Sequence, residues 1–337
     1  MEHMRLGRTG LQVSRSGFGC IPIQRLSESD AVALVRKAYD NGINFFDTAR
    51  GYSDSEEKLG KAFTGIRDNV IIATKTHAAD AEHFFIDLET SLRNLRSDYI
   101  DIYQLHNPRS APDASDELMQ AMQKAKEQGK IRFIGVTSHT IATAKEEVSS
   151  NLFDTMQFPL SCLSDENDMA LATLCREFDV GLIAMKAMSG GLITSPNGSF
   201  AFLRSFGNIV PIWGMQHEWE LDQFIALEAN PPVLDEAIWQ QINKDRAELG
   251  GGFCRRCGYC VPTCPAGISI NMMARISLLM RRSVATNFTG AKTRADMEKI
   301  KDCKHCGECT SHCPYDLDAP ALLEREYAWY QDYMSKL

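Results

Sequence analysis

Between about residue 17 and residue 229 the chain alternates short apolar runs with longer stretches of helical periodicity, and the alternation repeats eight times. The apolar runs cover 17–21, 43–47, 69–75, 99–106, 131–136, 155–158, 181–185 and 208–213, each of a length suited to a strand buried on both faces. Helical patterns lie between them. In 29–41, Ala31, Leu34, Val35 and Ala38 share one face and Gly42 ends the run; in 82–95, Phe85, Leu88, Leu92 and Leu95 do the same. Further helical patterns cover 55–63, 115–128, 142–149 and 168–178, with a shorter one at 200–205. A β/α unit recurring about every 30 to 35 residues is best accommodated by a closed barrel of eight parallel strands. The fold class is therefore α/β, a (β/α)8 TIM barrel. An open doubly wound sheet would carry G-x-G-x-x-G after its first strand, and Gly17-Phe18-Gly19 does not continue that way. Ahead of the repeat, residues 4–14 read as a small hairpin around Gly7 and Gly10.

Asn230-Pro231-Pro232 closes the repeat, and a helix over 235–249 leads to a Gly250-Gly251-Gly252 joint. The expected organisation is a barrel over 1–232, a connecting helix and glycine linker over 233–252, a cysteine-rich domain over 253–318 and a final helix over 319–337. A net charge of −8 argues against a general nucleic-acid binder. The first residues lack the apolar core of a signal peptide, and no apolar run approaches the roughly 18 residues that span a bilayer. The expectation is a cytoplasmic protein with no membrane span.

Functional groups of such a barrel lie at the C-terminal tips of its strands. Here the tips supply Asp47, Lys75 and His106, with Tyr52 on the loop after the first of these. Each has a bland explanation: a structural Asp47–Lys75 ion pair, an Asp47 helix cap, a buried histidine. Their convergence on one rim points to chemistry. A phenol with a pKa of about 10 is a poor proton donor at neutral pH, and a lysine cation beside it favours the phenolate. Asp47 would hold Lys75 charged and His106 would orient a substrate oxygen. Such a site protonates an oxyanion as it forms, as carbonyl reduction by hydride requires.

With these groups in view, residues 4 to about 229 resemble the aldo/keto reductase family. The resemblance rests on Gly42-Ile43-Asn44-Phe45-Phe46-Asp47-Thr48-Ala49, Tyr52 with Ser55-Glu56 and Leu59-Gly60, Ala73-Thr74-Lys75, and 98–106, which ends in Gln104-Leu105-His106. It implies a catalytic tetrad of Asp47, Tyr52, Lys75 and His106, with Tyr52 as general acid, and NADP(H) or NAD(H) bound without a Rossmann motif. It further implies nicotinamide contacts from Thr137, Ser138 and Gln157, with Met185 where an aromatic residue often stacks and Lys186 following it. Gly214, Met215 and Gln216 match the phosphate and adenosine segment, and Gln223 matches an adenine-contacting position. The sequence departs from the family in carrying Thr137-Ser138 for a Ser-Asn pair. It also has neutral Gln216 and His217 where a base often meets a 2′-phosphate, and Phe224 for a frequent Asn.

Eight of eleven cysteines fall in two matching clusters, Cys254-x2-Cys257-x2-Cys260-x3-Cys264-Pro265 and Cys303-x2-Cys306-x2-Cys309-x3-Cys313-Pro314. This is the bacterial ferredoxin pattern given twice, in which the fourth cysteine reaches the other cluster. The assignment is Cys254, Cys257, Cys260 and Cys313 to one [4Fe-4S] cluster, and Cys303, Cys306, Cys309 and Cys264 to the second. Zinc sites pair C-x2-C units across a longer loop; the third close cysteine and the Cys-Pro endings argue against zinc. The region resembles a small 2x[4Fe-4S] ferredoxin-like module, with two helices expected over 268–302. Cys20, Cys162 and Cys175 read as core residues.

The whole resembles the iron-sulfur subgroup of aldo/keto reductases, which implies an oxidoreductase interconverting a small-molecule carbonyl and an alcohol. The clusters would exchange electrons with an acidic redox partner such as a ferredoxin or flavodoxin. Arg275, Arg281, Arg282, Lys292, Arg294, Lys299 and Lys301 offer a basic docking face for it, or a solvated helix surface. Hydride carries two electrons and each cluster one, so two further readings stand beside this one: a reductase with structural clusters, and an electron-transfer or binding protein on a retired barrel.

Overall fold

The β/α repeat closes on itself. In a computed structural model of the chain, described at residues 1–108, 110–249, 252–282 and 285–337, eight parallel strands form a closed barrel. A two-stranded hairpin, β1 His3–Arg5 and β2 Gln12–Ser14, comes first. The barrel strands are β3 Gly17–Gly19, β4 Phe45–Asp47, β5 Ile71–Thr76, β6 Ile100–His106, β7 Ile131–Thr137, β8 Thr155–Pro159, β9 Gly181–Met185 and β10 Ile209–Gly214. They neighbour one another in chain order, and β10 pairs with β3 to complete the ring.

Local chemistry explains where the elements begin and end. Ser27 caps the helix Glu28–Asp40 by accepting the N–H of Asp30 at 3.1 Å, and Asp80 caps Ala81–Leu95 by accepting the N–H of His83 at 2.8 Å. Each such cap contributes about 1 kcal/mol. After Glu28–Asp40 the chain turns through Gly42 at φ +93°, and Ile43 N–H still closes on Ala38 O at 3.1 Å. Hence β4 starts at Phe45 rather than at residue 43. The helix expected at 200–205 is longer, Pro196–Arg204, because Pro196 opens it.

The hairpin seals the N-terminal end of the barrel. Leu6, Leu11 and Val13 pack with Phe45, Ala73, Ile102, Ile183, Val210 and Ile212 from the strands. At the opposite end β10 runs close under the turn Pro22–Arg25: a Cβ on Gly214 would lie 3.1 Å from Pro22 Cγ. Trp213 of β10 is buried, stacks on Phe200 and Phe224, and donates from Nε1 to Ser16 Oγ at 2.9 Å.

By contact the chain divides into two units, one of Met1–Ala187 with Ser195–Ile242, the other of Met188–Thr194 with Asn243–Leu337. The helix Glu236–Leu249 spans that boundary. The second unit is built from short pieces: Ile270–Met273, Ile276–Arg282, Ala291–Glu298 and Glu308–Ser311, followed by one long helix, Ala319–Ser335. Between residues 268 and 302 the expected two helices are joined by a further four-residue helix and two 3-10 turns. Ile268, Ile276, Met280, Met297, Ile300, Leu322, Leu323 and Tyr330 share a core with Cys254, Cys260 and Cys309. Buried Glu326 of the long helix accepts the Ser277 N–H at 2.8 Å, setting a carboxylate on the first turn of Ile276–Arg282. Of the glycine joint, Gly250 and Gly251 lie outside the described residues. Among the described residues no helix is long and apolar enough to cross a membrane.

Candidate active site and cysteine cavities

Register brings the polar strand tips together. Asp47 ends β4, Lys75 is the fifth residue of β5, and His106 ends β6, where it pairs with Thr137 of β7; Thr137 pairs in turn with Gln157 of β8. Lys75 Nζ donates to both oxygens of Asp47, at 2.7 and 2.8 Å, and to Thr48 O at 2.5 Å. Both side chains are almost wholly buried, 1% exposed for Lys75 and 4% for Asp47. Burial raises the Asp47 carboxyl, and the Lys75 charge with its hydrogen bond works against that rise. The same ammonium lies 5.2 Å from the centre of the Tyr52 ring. Tyr52 is half-buried and meets His106 edge-on, with ring centres 6.0 Å apart.

Burial, with the Lys75 charge behind it, pushes His106 down to about 2. The imidazole is therefore neutral at any physiological pH, and its Nδ1 is buried with no hydrogen-bond partner. A neutral imidazole is suited to orienting an oxygen, and the Tyr52 phenol lies on the same rim near a fixed cation.

The candidate cofactor residues fall into distinct surroundings. Thr137 Oγ1 is buried and unpartnered, next to His106 in register. Ser138 Oγ donates to Thr140 O at 3.3 Å. Gln157 faces inward: its Nε2 donates to Asp47 Oδ1 at 3.2 Å and its Oε1 accepts from Gln104 at 3.0 Å. Met185 is half-buried, and Lys186, at φ +55°, has its Nζ 3.1 Å from His139 Nε2. Gly214 is exposed and Met215 fully buried; Gln223 is exposed on the helix Glu218–Ala229. The unpartnered Thr137 hydroxyl and His106 nitrogen at the barrel mouth suit a polar ligand carrying an amide and a carbonyl.

Three contributors escaped the sequence reading. Gln104 sits two residues before His106 on the same strand face and fastens Asp47 to Gln157, with Nε2 3.4 Å from Asp47 Oδ2. His77 follows Lys75 by two and stacks on His106 with ring centres 4.0 Å apart. Period-two alternation from the tetrad positions would have found both. Arg25, in the turn after β3, donates to Gln216 Oε1 at 3.1 Å, so a guanidinium does reach the segment that lacks a base of its own. No local signal announces that contact.

The eight clustered cysteines stand around two cavities in the second unit. Cys254, Cys257, Cys260 and Cys313 line one, which Cys309 also borders, walled further by Ile270, Leu317 and Leu322. Cys264, Cys303, Cys306 and Cys309 line the other, with Lys304 at its edge. The first cavity draws its fourth thiol from the second motif, and the second cavity draws one from the first. Backbone N–H groups already point at sulfur: Arg256 N to Cys254 Sγ and Ile268 N to Cys264 Sγ, each 3.4 Å. No cysteine is in a disulfide. Among the described residues no three His, Cys, Asp or Glu side chains lie close enough to share a single ion. Four separated thiols around an apolar cavity, with amide donors aimed at sulfur, fit a cubane cluster.

Part of the basic stretch expected between the motifs is buried or hydrogen-bonded within the unit. Arg275 is fully buried. Lys292 pairs with Asp296 and Lys301 with Glu298, each at 2.6 Å. Arg281 donates to Ser277 O at 3.1 Å and lies over the Trp329 ring. Arg294 donates to Thr289 O at 2.8 Å. The Arg282 side chain lies outside the described residues. Exposed lysines do flank the second cavity: Lys304 on its edge, and Lys299, whose Nζ would be 3.2 Å from a Cβ on Gly267.

Barrel and mouth put the protein among the TIM-barrel oxidoreductases. The profile of the aldo/keto reductase family matches residues 15–242, and the chain belongs to that family. A second profile, a 4Fe-4S dicluster domain, matches residues 253–318. L-galactose dehydrogenase of Arabidopsis thaliana is 35% identical over 215 residues, 58% of this chain and 67% of that protein. Aldo-keto reductase YhdN of Bacillus subtilis is 30% identical over 213 residues, 58% of this chain and 64% of that one. The holo form of aldo-keto reductase AKR11C1 from Bacillus halodurans has the same fold, with a TM-score of 0.65 at 22% identity over 73% of this chain and 96% of that one.

Proposed function

We propose that the barrel interconverts a small carbonyl compound and its alcohol with NADP(H), Tyr52 acting as general acid in reduction and general base in oxidation. The observation that carries this reading is the Lys75 ammonium, clamped by Asp47 at 2.7 Å and lying 5.2 Å from the Tyr52 ring, beside a His106 that burial keeps neutral. The nicotinamide, when bound, supplies the hydride; the chain's own residues handle the proton. His106 fixes the substrate oxygen, Tyr52 Oη delivers a proton to it, and Lys75 stabilises the phenolate left behind. Thr137 and Ser138 would hold the carboxamide, and Met185 would pack on the ring. Arg25 with Gln216 would meet a 2′-phosphate, which favours NADP(H) over NAD(H).

In the second unit, Cys254, Cys257, Cys260 and Cys313 would hold one [4Fe-4S] cluster and Cys264, Cys303, Cys306 and Cys309 another. The clusters, when bound, supply one-electron exchange. Lys299 and Lys304, beside exposed Cys306, offer the place where an acidic carrier such as a ferredoxin or flavodoxin docks. We also assign the protein to the cytoplasm and divide it at residues 232, 252 and 318.

The test is Tyr52→Phe in anaerobically purified holoprotein, assayed with simple aldehydes and with NADPH and NADH in turn. Loss of a positioned general acid lowers turnover about 10²–10⁴-fold, with iron content unchanged and NADPH bound more tightly than NADH. Turnover that survives the substitution removes Tyr52 from its role. Equal binding of the two nucleotides removes the role given to Arg25.

A further inference from the structure

Arg275 lacks the partners a buried arginine normally has. A guanidinium carries five donors and, when taken from water, is matched to carboxylates. Here the residue is 0% exposed, and Nη2 donates to Gly190 O at 3.1 Å, a residue of the same unit. Nε and Nη1 are buried with no hydrogen-bond partner. No carboxylate pairs with Arg275 among the described residues. Gly190, at φ +65°, is what lets the segment close in: a Cβ there would stand 3.2 Å from Nη1.

A buried cation without a counter-charge is strongly destabilising, so a chain that keeps one has something negative to set against it. The neighbours of Arg275 say what that is. Ala274 is on the wall of the cavity ringed by Cys254, Cys257, Cys260 and Cys313, and Ile276 is in the core that includes Cys254 and Cys260. Cys254 is near enough for a charge on its sulfur to act on the Arg275 guanidinium.

We infer that Arg275 is the built-in counter-cation of the first cysteine cavity, a positioning residue that raises the reduction potential of the cluster held there. This rests on the reading that those four cysteines hold a [4Fe-4S] cluster. Four thiolates on the oxidised core leave a net charge of 2−; one electron from the reductant takes it to 3−, with no proton moved. A fixed cation in a low-dielectric surround favours the more negative form. A neutral residue at 275 therefore makes reduction harder at the first site and leaves the second site as it was.

The experiment is a dithionite redox titration of the reconstituted full-length holoprotein, followed by electron paramagnetic resonance, with iron and sulfide measured on each sample. The signals are attributed to sites with a Cys306→Ser variant, which cannot complete the second site. In Arg275→Gln the reduced-to-oxidised ratio of the first site at a fixed potential should fall at least tenfold, equivalent to 59 mV for one electron, while the second site stays within threefold. Arg275→Lys, which keeps the charge, should recover most of the shift. An Arg275→Gln protein with full iron that titrates like the unaltered one overturns the inference, as does a lysine variant shifted as far as the glutamine variant. If glutamine prevents folding, the unaltered protein decides: its first site should be reduced at a higher potential than its second, and the opposite order sinks the idea. Absence of iron and sulfide from the unaltered protein would instead fail the cluster reading itself.

Discussion

Glu147 shows how much one carboxyl can matter in this barrel. It sits on the helix Ile141–Ser149, fully buried, with both oxygens lacking a hydrogen-bond partner. The Ser138 hydroxyl, which donates to Thr140 O at 3.3 Å, works against the effect of burial there without cancelling it. Burial raises the carboxyl from 4.5 to about 8. A raised carboxyl binds its proton more tightly in the folded than in the unfolded chain. Its contribution is fully present below pH 4.5, declines as pH rises, and is gone once pH has passed about 8. The histidines His77, His106 and His139, pushed below their ordinary value of 6.5, act in the range beneath it and leave the upper window to Glu147. Denaturation midpoints measured at pH 6.5 and 8.5 should fall with pH in the unaltered protein and fall distinctly less in Glu147→Gln. Equal losses in the two proteins would mean that another group titrates.

At the scale of elements, the two units are stabilised in different ways. Barrel strands are held by ladders on both sides and by helices of eight to fifteen residues, several of them capped at the N-terminus by Ser27, Asp80, Asp116 or Asp165. The second unit has helices of only four residues at Ile270–Met273 and Glu308–Ser311, too short to form unaided. Its core includes Cys254, Cys260 and Cys309, so bonds from thiolate to iron would join pieces that apolar packing alone holds weakly. Stripping iron with a chelator under reducing conditions should expose the segment beyond residue 243 to protease and leave a resistant fragment of the barrel. A stripped full-length chain that resists the protease equally throughout would show that the second unit folds without metal.

For the molecule as a whole, charge governs how a carrier would approach. The chain carries a net −8, so an acidic partner is repelled at long range and attracted only where bases gather. Exposed Lys299 and Lys304 by the second cavity are such a place, with Cys306 exposed beside them. Lys304→Glu should slow electron exchange with an acidic ferredoxin or flavodoxin several-fold at low ionic strength, and by much less near 0.5 M salt, where screening shortens the reach of charge. A rate indifferent to both substitution and salt would place docking elsewhere.

The sequence alone determined the barrel, because strand length, helix periodicity and their recurrence are local properties that need no partner to be read. It also determined which residues stand at strand tips and which cysteines travel together, because both follow from spacing. Tertiary structure decided what those groups touch. Arg25 meets Gln216 across 191 positions, a contact that exists only because β10 closes on β3. Gln157 turns toward Asp47 and Gln104 because the barrel interior brings three strands to one layer. Arg275, one more base in a basic stretch when read along the chain, proves to be interior. Whether a charge is solvated or enclosed depends on what packs over it, and here that includes Gly190, 85 residues away.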